Sequence, residues 1–317
     1  MGLIKNKKGF FFSFTAILLV TFIFVSHSAL IKETTSKNQY SEINRIESMN
    51  SFLVNLEDEA SIAIYASSFR GLIAMLEEIT LSGEYLSDSQ TAIHELVTHG
   101  TLDGASADIM ENNTLVYWAG NMQEQADKVG VDIDLDFTNI SVFHSDPWTI
   151  GVNATVNCIL RDKREIAYWN TSFSSTATIS ILDFEDPLFI VNTGNQIQRS
   201  IKKSPYYRNF TSVGNIEDEI DSGYYIEFQG APSYLMRLEG DLGPSINGVE
   251  SLIDKVELSK YSPVDESKSN VDYIYFSGDD PVSYGITGLG NFFRLDNETG
   301  LNLTHIEEYN LSELVVE

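Results

Sequence analysis

From Phe10 to Ile31 the chain reads FFFSFTAILLVTFIFVSHSALI, 22 residues without Asp, Glu, Lys or Arg. As a helix at about 1.5 Å per residue, such a run extends roughly 33 Å, enough for a hydrocarbon core of about 30 Å. A helix is also what lipid demands, because it satisfies its own backbone hydrogen bonds. The run therefore predicts a transmembrane helix over residues 10–31. Lys5, Lys7 and Lys8 precede it, and Lys32 alone follows at once. Basic residues favour the cytoplasmic flank, so the remaining chain is expected outside the cell membrane, on a single-pass protein.

The fate of this segment has three readings. Ser26-His27-Ser28-Ala29 offers the small residues of a secretory cut, which would release the protein. An uncleaved anchor is the second reading. The third follows from the junction Lys7-Lys8-Gly9-Phe10, which runs directly into the apolar stretch. It resembles the class III leader of type IV pilins and their archaeal relatives. The resemblance implies a leader over residues 1–9, cut after Gly9 by a prepilin-type peptidase, with the helix retained on the mature protein. It also implies a helical stalk below a β-rich head. Many pilins carry Glu at the fifth mature position, where this chain has Phe14. Archaeal pilin-like proteins often lack that Glu, so the resemblance implies a minor or pilin-like subunit.

Beyond the apolar run the composition is that of a folded, acidic domain. The hydrophobic content of 43% and aromatic content of 11% supply a core and exclude disorder. The net charge of −26 opposes binding to nucleic acid and to anionic lipid head groups. The single cysteine, Cys158, excludes an intrachain disulfide. It sits in an alternating apolar pattern and reads as a small buried hydrophobe. Asn-x-Ser/Thr sequons, the acceptor pattern for N-glycosylation, stand at Asn112, Asn139, Asn153, Asn170, Asn209, Asn297, Asn302 and Asn310.

Helical periodicity dominates residues 32–130. Ile43, Ile46, Met49, Leu53, Leu56, Ala60 and Ile64 recur three or four apart among acidic residues, and the pattern persists to Leu81 before Gly83. This long amphipathic face suits docking on the protein's own head or on neighbouring subunits. Ser87-Asp88-Ser89-Gln90 starts a further helix that stops near Gly100, and another runs from Leu115 to Val129. At Val131 the period changes to two. Val131, Ile133, Leu135 and Phe137 alternate with Asp132, Asp134 and Asp136, and Ile150 to Cys158 alternate likewise. Phe173–Ile181, Tyr224–Gln229, Tyr234–Leu238 and Val271–Phe276 are further candidate strands. Asp146-Pro147, Asp186-Pro187 and Asp280-Pro281 mark turns. The expected fold is α+β, with an antiparallel, sandwich-like β head over 131–317.

Chemical motifs are sparse. His94 and His99 in HELVTH lie five apart, so on a helix they diverge by about 140° and cannot share one zinc ion. The Asp132-Asp134-Asp136 series begins like a calcium loop, but Phe137 and Phe143 stand where that loop needs Gly and Glu. No nucleophile elbow, phosphate loop or dinucleotide fingerprint occurs. The expectation is a protein without catalytic residues, cofactor or metal. The basic cluster Arg199, Lys202, Lys203 and Arg208 stands out in an acidic chain, as a surface that could meet an acidic neighbour. The resulting functional expectation is a pilin-like subunit of a surface filament or pseudopilus that partners like subunits. A non-assembling, ligand-binding envelope protein is the competing reading.

Overall fold

The computed structural model describes residues 15–22, 37–206, 210–290, 292–298 and 303–316. It corrects the transmembrane expectation. Among the described residues no helix is long and apolar enough to cross a membrane. Of the stretch 10–31, residues 15–22 are helical and the others lie outside the described residues. The long helix α1, Lys37–Ser82, has 46 residues and ample length. It fails as a span because Glu42, Arg45, Glu47, Glu57, Asp58 and Glu59 recur along it, and ionised side chains are costly in lipid.

The chain divides into two compact units. The first contains the residues up to Ala63, Leu115–Asn139 and Ala154–Ser175, and the second contains Ile64–Thr114, Ile140–Asn153 and Thr176–Glu317. Helix α1 contributes residues to both.

In the first unit, α1 and a second helix, Leu115–Lys128, pack against the long strands that follow. Those strands are Val131–Asp146, Thr149–Asp162 and Tyr168–Ser180, lying side by side in chain order. Their connections are too short for a parallel crossover, so neighbours run antiparallel. One sheet face supplies Val131, Ile133, Cys158 and Leu160 to a core with Met49, Leu56, Met122 and Ala126. Trp118 meets Phe137 edge-to-face with centroids 6.0 Å apart. The period of two seen in the sequence is this pleat, with one interruption. Asn139 adopts φ 51°, so Thr138 and Asn139 both avoid the core and Ile140 is buried in place of the next alternating position. Arg45 ties the helix to the sheet, donating from Nε to Asp162 Oδ1 at 2.8 Å and from Nη2 to the Gly130 carbonyl at 2.8 Å.

In the second unit, α1 ends at Ser82, and helix Ser89–His99 begins on Asp88, whose side chain accepts from Thr91 N. The helix stops at Gly100, which is left-handed with φ 75° and returns its N–H to Glu95 and Leu96. Gly71 lets α1 approach this helix closely, since a Cβ there would lie 2.8 Å from Ile93 Cδ1.

The sandwich-like head is not found. After Ser180 the chain forms short helices and small sheets: strands Tyr225–Glu227 and Val249–Ser251 pair antiparallel, and Ser283–Ile286 lies between Arg294–Asp296 and Val315–Val316. Two expected strands are helices, Tyr234–Glu239 and Asp272–Phe276. The first is bounded by Ser233 and a left-handed Gly240. In the second, the Asp272 carboxylate accepts from Tyr273 N at 2.6 Å and turns the chain at its start. End signals and tertiary partners override the apolar run in both. The core is formed by Leu188, Ile226, Leu252, Val271, Leu295 and Tyr309 with their neighbours.

Candidate functional site

The second unit concentrates titratable groups in its interior. Arg237, on helix Tyr234–Glu239, donates from Nη1 to Asp186 Oδ2 at 2.6 Å and to Asp272 Oδ2 at 3.0 Å. Its Nη2 donates to Asp272 Oδ1 at 3.2 Å and to the Val249 carbonyl. Asp186 also accepts from Tyr225 Oη at 2.8 Å and from Leu188 N at 2.9 Å, where it caps a short helix. Asp272 accepts from both N and Oγ of Ser251. Burial raises the Asp186 carboxyl, and the Arg237 charge opposes that rise.

A second buried group lies on neighbouring elements of the same core. His305 pairs through Nδ1 with Asp296 Oδ1 at 2.6 Å and through Nε2 with Glu250 Oε2 at 3.1 Å. Tyr273 Oη also approaches Nε2 at 3.1 Å. Burial alone would push the imidazolium down, but the charge of Glu250 and hydrogen bonds to Asp296 and Glu250 hold it up at about 10. Glu219 is buried with Oε2 accepting from Ser204 Oγ at 2.6 Å, while Oε1 has no partner among the described residues. Burial pushes its carboxyl up to about 7, with Asp218 and Glu250 adding to the rise.

The side chains of Arg237, Asp186, Asp272, His305, Glu250 and Asp296 are fully buried. Perturbed groups in a cleft would point to chemistry. Here no solvent reaches them, and the arrangement braces six elements of the chain against one another. No sequence motif announced them, apart from the Asp186-Pro187 turn.

An open cleft of about 430 Å³ lies elsewhere in the second unit. Glu217, Asp221 and Asp254 bring carboxylates to it, and Ile253, Phe292 and Phe293 bring apolar surface. Lys255 also lines it, but its Nζ donates to the carbonyls of Lys268 at 2.6 Å and Phe292 at 3.2 Å. Burial pushes that ammonium down to about 8.

The first unit presents a different feature, on α1. Met49, Leu56 and Ala60 of the expected stripe are buried, whereas Ile43 and Ile46 are exposed by 50% and 40%. Val54 and Ile62 are exposed too, by 53% and 45%. Ile43 and Val54 are eleven residues apart and project within about 20° of each other on a helix. Ile46 lies about 60° to one side of Ile43, Ile62 projects about 100° to the other, and Glu47 and Asp58 fall between.

The residues singled out from sequence fare as follows. Lys7, Lys8, Gly9 and Phe10 lie outside the described residues, as do Asn209, Asn302 and Arg208. Asn112, Asn139, Asn170, Asn297 and Asn310 are exposed and Asn153 is half-buried. Asn310 donates its amide to the Phe210 carbonyl at 2.8 Å. His94 and His99 are exposed, while Glu95 accepts from Thr101 Oγ1 and Gly104 N and so holds the hairpin after its helix. Among the described residues no group of acids, histidines and cysteines could hold a metal ion. Arg199 is turned inward, donating to the Ile220 carbonyl and lying over Phe189, so it does not join Lys202 and Lys203 on the surface.

Comparison with family models, with curated proteins and with solved structures found no match.

Proposed function

We propose that this chain is a pilin-like subunit of an extracellular filament or pseudopilus, and that like subunits meet along the exposed ridge of α1. The observation that carries this reading is the set Ile43, Ile46 and Val54, exposed apolar side chains within about 80° of one another around a 46-residue helix. Apolar surface of this kind is the usual material of subunit contacts. The junction Lys7-Lys8-Gly9-Phe10 supports it independently, as the processing signal that such subunits carry.

Two measurements test the proposal. N-terminal sequencing of the mature protein is expected to begin at Phe10, and a start at Met1 counts against it. The double variant Ile43→Asp/Val54→Asp is expected to abolish filaments while leaving the unfolding midpoint of the subunit unchanged. Filaments that persist in that variant would overturn the proposed contact.

A further inference from the structure

The sheet of the first unit ends on two edge strands, Val131–Asp146 and Tyr168–Ser180. An edge presents a row of N–H and C=O groups that can pair with another chain, and folded proteins blunt it with charges, proline or a bulge. The edge Val131–Asp146 carries such devices: Asp132, Asp134, Asp136 and the left-handed Asn139 that breaks its alternation. The edge Tyr168–Ser180, YWNTSFSSTATIS, carries none of them. Its 13 residues include no charge, proline or glycine and no left-handed position, in a chain with 21% charged residues.

The part of this strand that belongs to the first unit ends at Ser175. Among the described residues, no backbone group of 168–173 hydrogen-bonds to a segment outside the sheet. Trp169 and Phe173 pack on the core of the unit yet stay half-buried, with Thr171 half-buried between them. Asn170 and Ser172, on the opposite face, are exposed. The edge therefore lacks the neighbour that would finish covering two aromatic rings.

We propose that a second copy of this chain is that neighbour, paired antiparallel along residues 169–173 into one continuous sheet. The strand is self-complementary about Thr171. In that register Trp169 of each copy faces Phe173 of the other, Thr171 faces Thr171, and Asn170 faces Ser172. Aromatic and Thr–Thr pairs are among the favourable cross-strand neighbours. The core-facing side chains of both copies stay on one face of the joined sheet. Sliding one copy by two positions sets every ring opposite Thr, Ser or Ala and loses both aromatic pairs. A foreign extended peptide would find the same backbone groups without these paired rings. Charge points the same way. The net charge of −26 repels a second copy, and this strand lets two backbones meet with no ionised side chain between them. The pairing does not depend on the exposed residues of α1.

The test is disulfide trapping in the full chain, whose one native thiol, Cys158, is buried. Under mild oxidation Thr171→Cys is expected to form an interchain disulfide, because directly opposite Cβ atoms lie about 5 Å apart. Tyr168→Cys should not, since its counterpart lies about 20 Å away along the strand. Asn170→Lys/Ser172→Lys places like charges opposite each other and is expected to weaken dimerisation about tenfold in sedimentation equilibrium. That variant lowers the net negative charge, so a loss of dimer cannot come from general repulsion. Ile43→Asp/Val54→Asp should leave the trapped dimer intact, and the unfolding midpoint of each variant should match the parent. Absence of the disulfide in Thr171→Cys overturns the proposal. Equal trapping of Tyr168→Cys, or dimerisation that survives Asn170→Lys/Ser172→Lys, overturns it as well.

Discussion

The Arg237 guanidinium and the Asp186 carboxylate meet 2.6 Å apart, and neither side chain has any solvent exposure. Asp272 completes the group at 3.0 Å. Two carboxylates in a core are tolerable only with the cation between them. Arg237→Ala is expected to destabilise the protein by roughly 3–5 kcal/mol, because it strands both charges. Arg237→Lys should recover little, since an ammonium lacks the fork that reaches Asp186, Asp272 and the Val249 carbonyl together. Urea unfolding of the two variants checks this, and a loss under 1 kcal/mol for the alanine variant would contradict it.

His305 makes stability depend on alkaline pH. Its folded pKa of about 10 exceeds the ordinary value of 6.5. A raised base contributes stability that is complete below about pH 6.5 and disappears as pH climbs through about 10. Lys255 works in the opposite sense. Burial holds it at about 8, below its usual 10.5, so its contribution to stability grows from pH 8 upward. The difference between the parent and His305→Gln isolates the imidazole. That difference is expected to be largest near pH 6 and to shrink steadily toward pH 10. A difference independent of pH would show that no buried imidazolium exists.

Glu219 depends on pH over a lower window. Its carboxyl sits at about 7 in the fold, against 4.5 ordinarily, chiefly through burial. The folded state holds the proton more tightly, so stability falls as pH rises from about 4.5 to 7 and is then level. The shift corresponds to on the order of 3 kcal/mol. Glu219→Gln keeps an acceptor for Ser204 and carries no charge. It is expected to match the parent at pH 4 and to unfold at a clearly higher temperature at pH 8. Equal midpoints at pH 8 would contradict this.

Cys158 is expected to be chemically silent in the folded protein. It is buried between the sheet and α1, and burial, followed by Asp134 and Glu57, pushes its thiol up to about 11. Thiolate is the reactive form, so iodoacetamide at pH 8 should leave native protein unmodified and label it fully in denaturant. Mass spectrometry reads the outcome directly, and rapid labelling of native protein would place Cys158 outside the core.

Much of the first unit was legible from short-range pattern. The amphipathic stretch ending near Leu81 is α1, the helix of Leu115–Val129 is present as Leu115–Lys128, and the switch of period at Val131 begins the sheet. Gly100 closes its helix as its type predicts. These features are set by propensities, caps and alternation that act within a few residues. Beyond Ser180 the same signals misled. Tyr234–Glu239 and Asp272–Phe276 look like strands by composition, yet they are short helices with end signals at Ser233, Gly240 and Asp272, and Arg237 and Asp272 pair between them.

The sequence alone therefore determined an acidic α+β chain with a long charged helix, a meander whose pleat buries Cys158, and no disulfide. Tertiary structure alone decided which apolar residues of α1 stay uncovered, that no described helix is a membrane span, and where the buried charges pair. Arg237 finds Asp186 across 51 positions and His305 finds Glu250 across 55. Such pairings are chosen by the low dielectric of a core that exists only once distant segments have packed, so no local pattern encodes them.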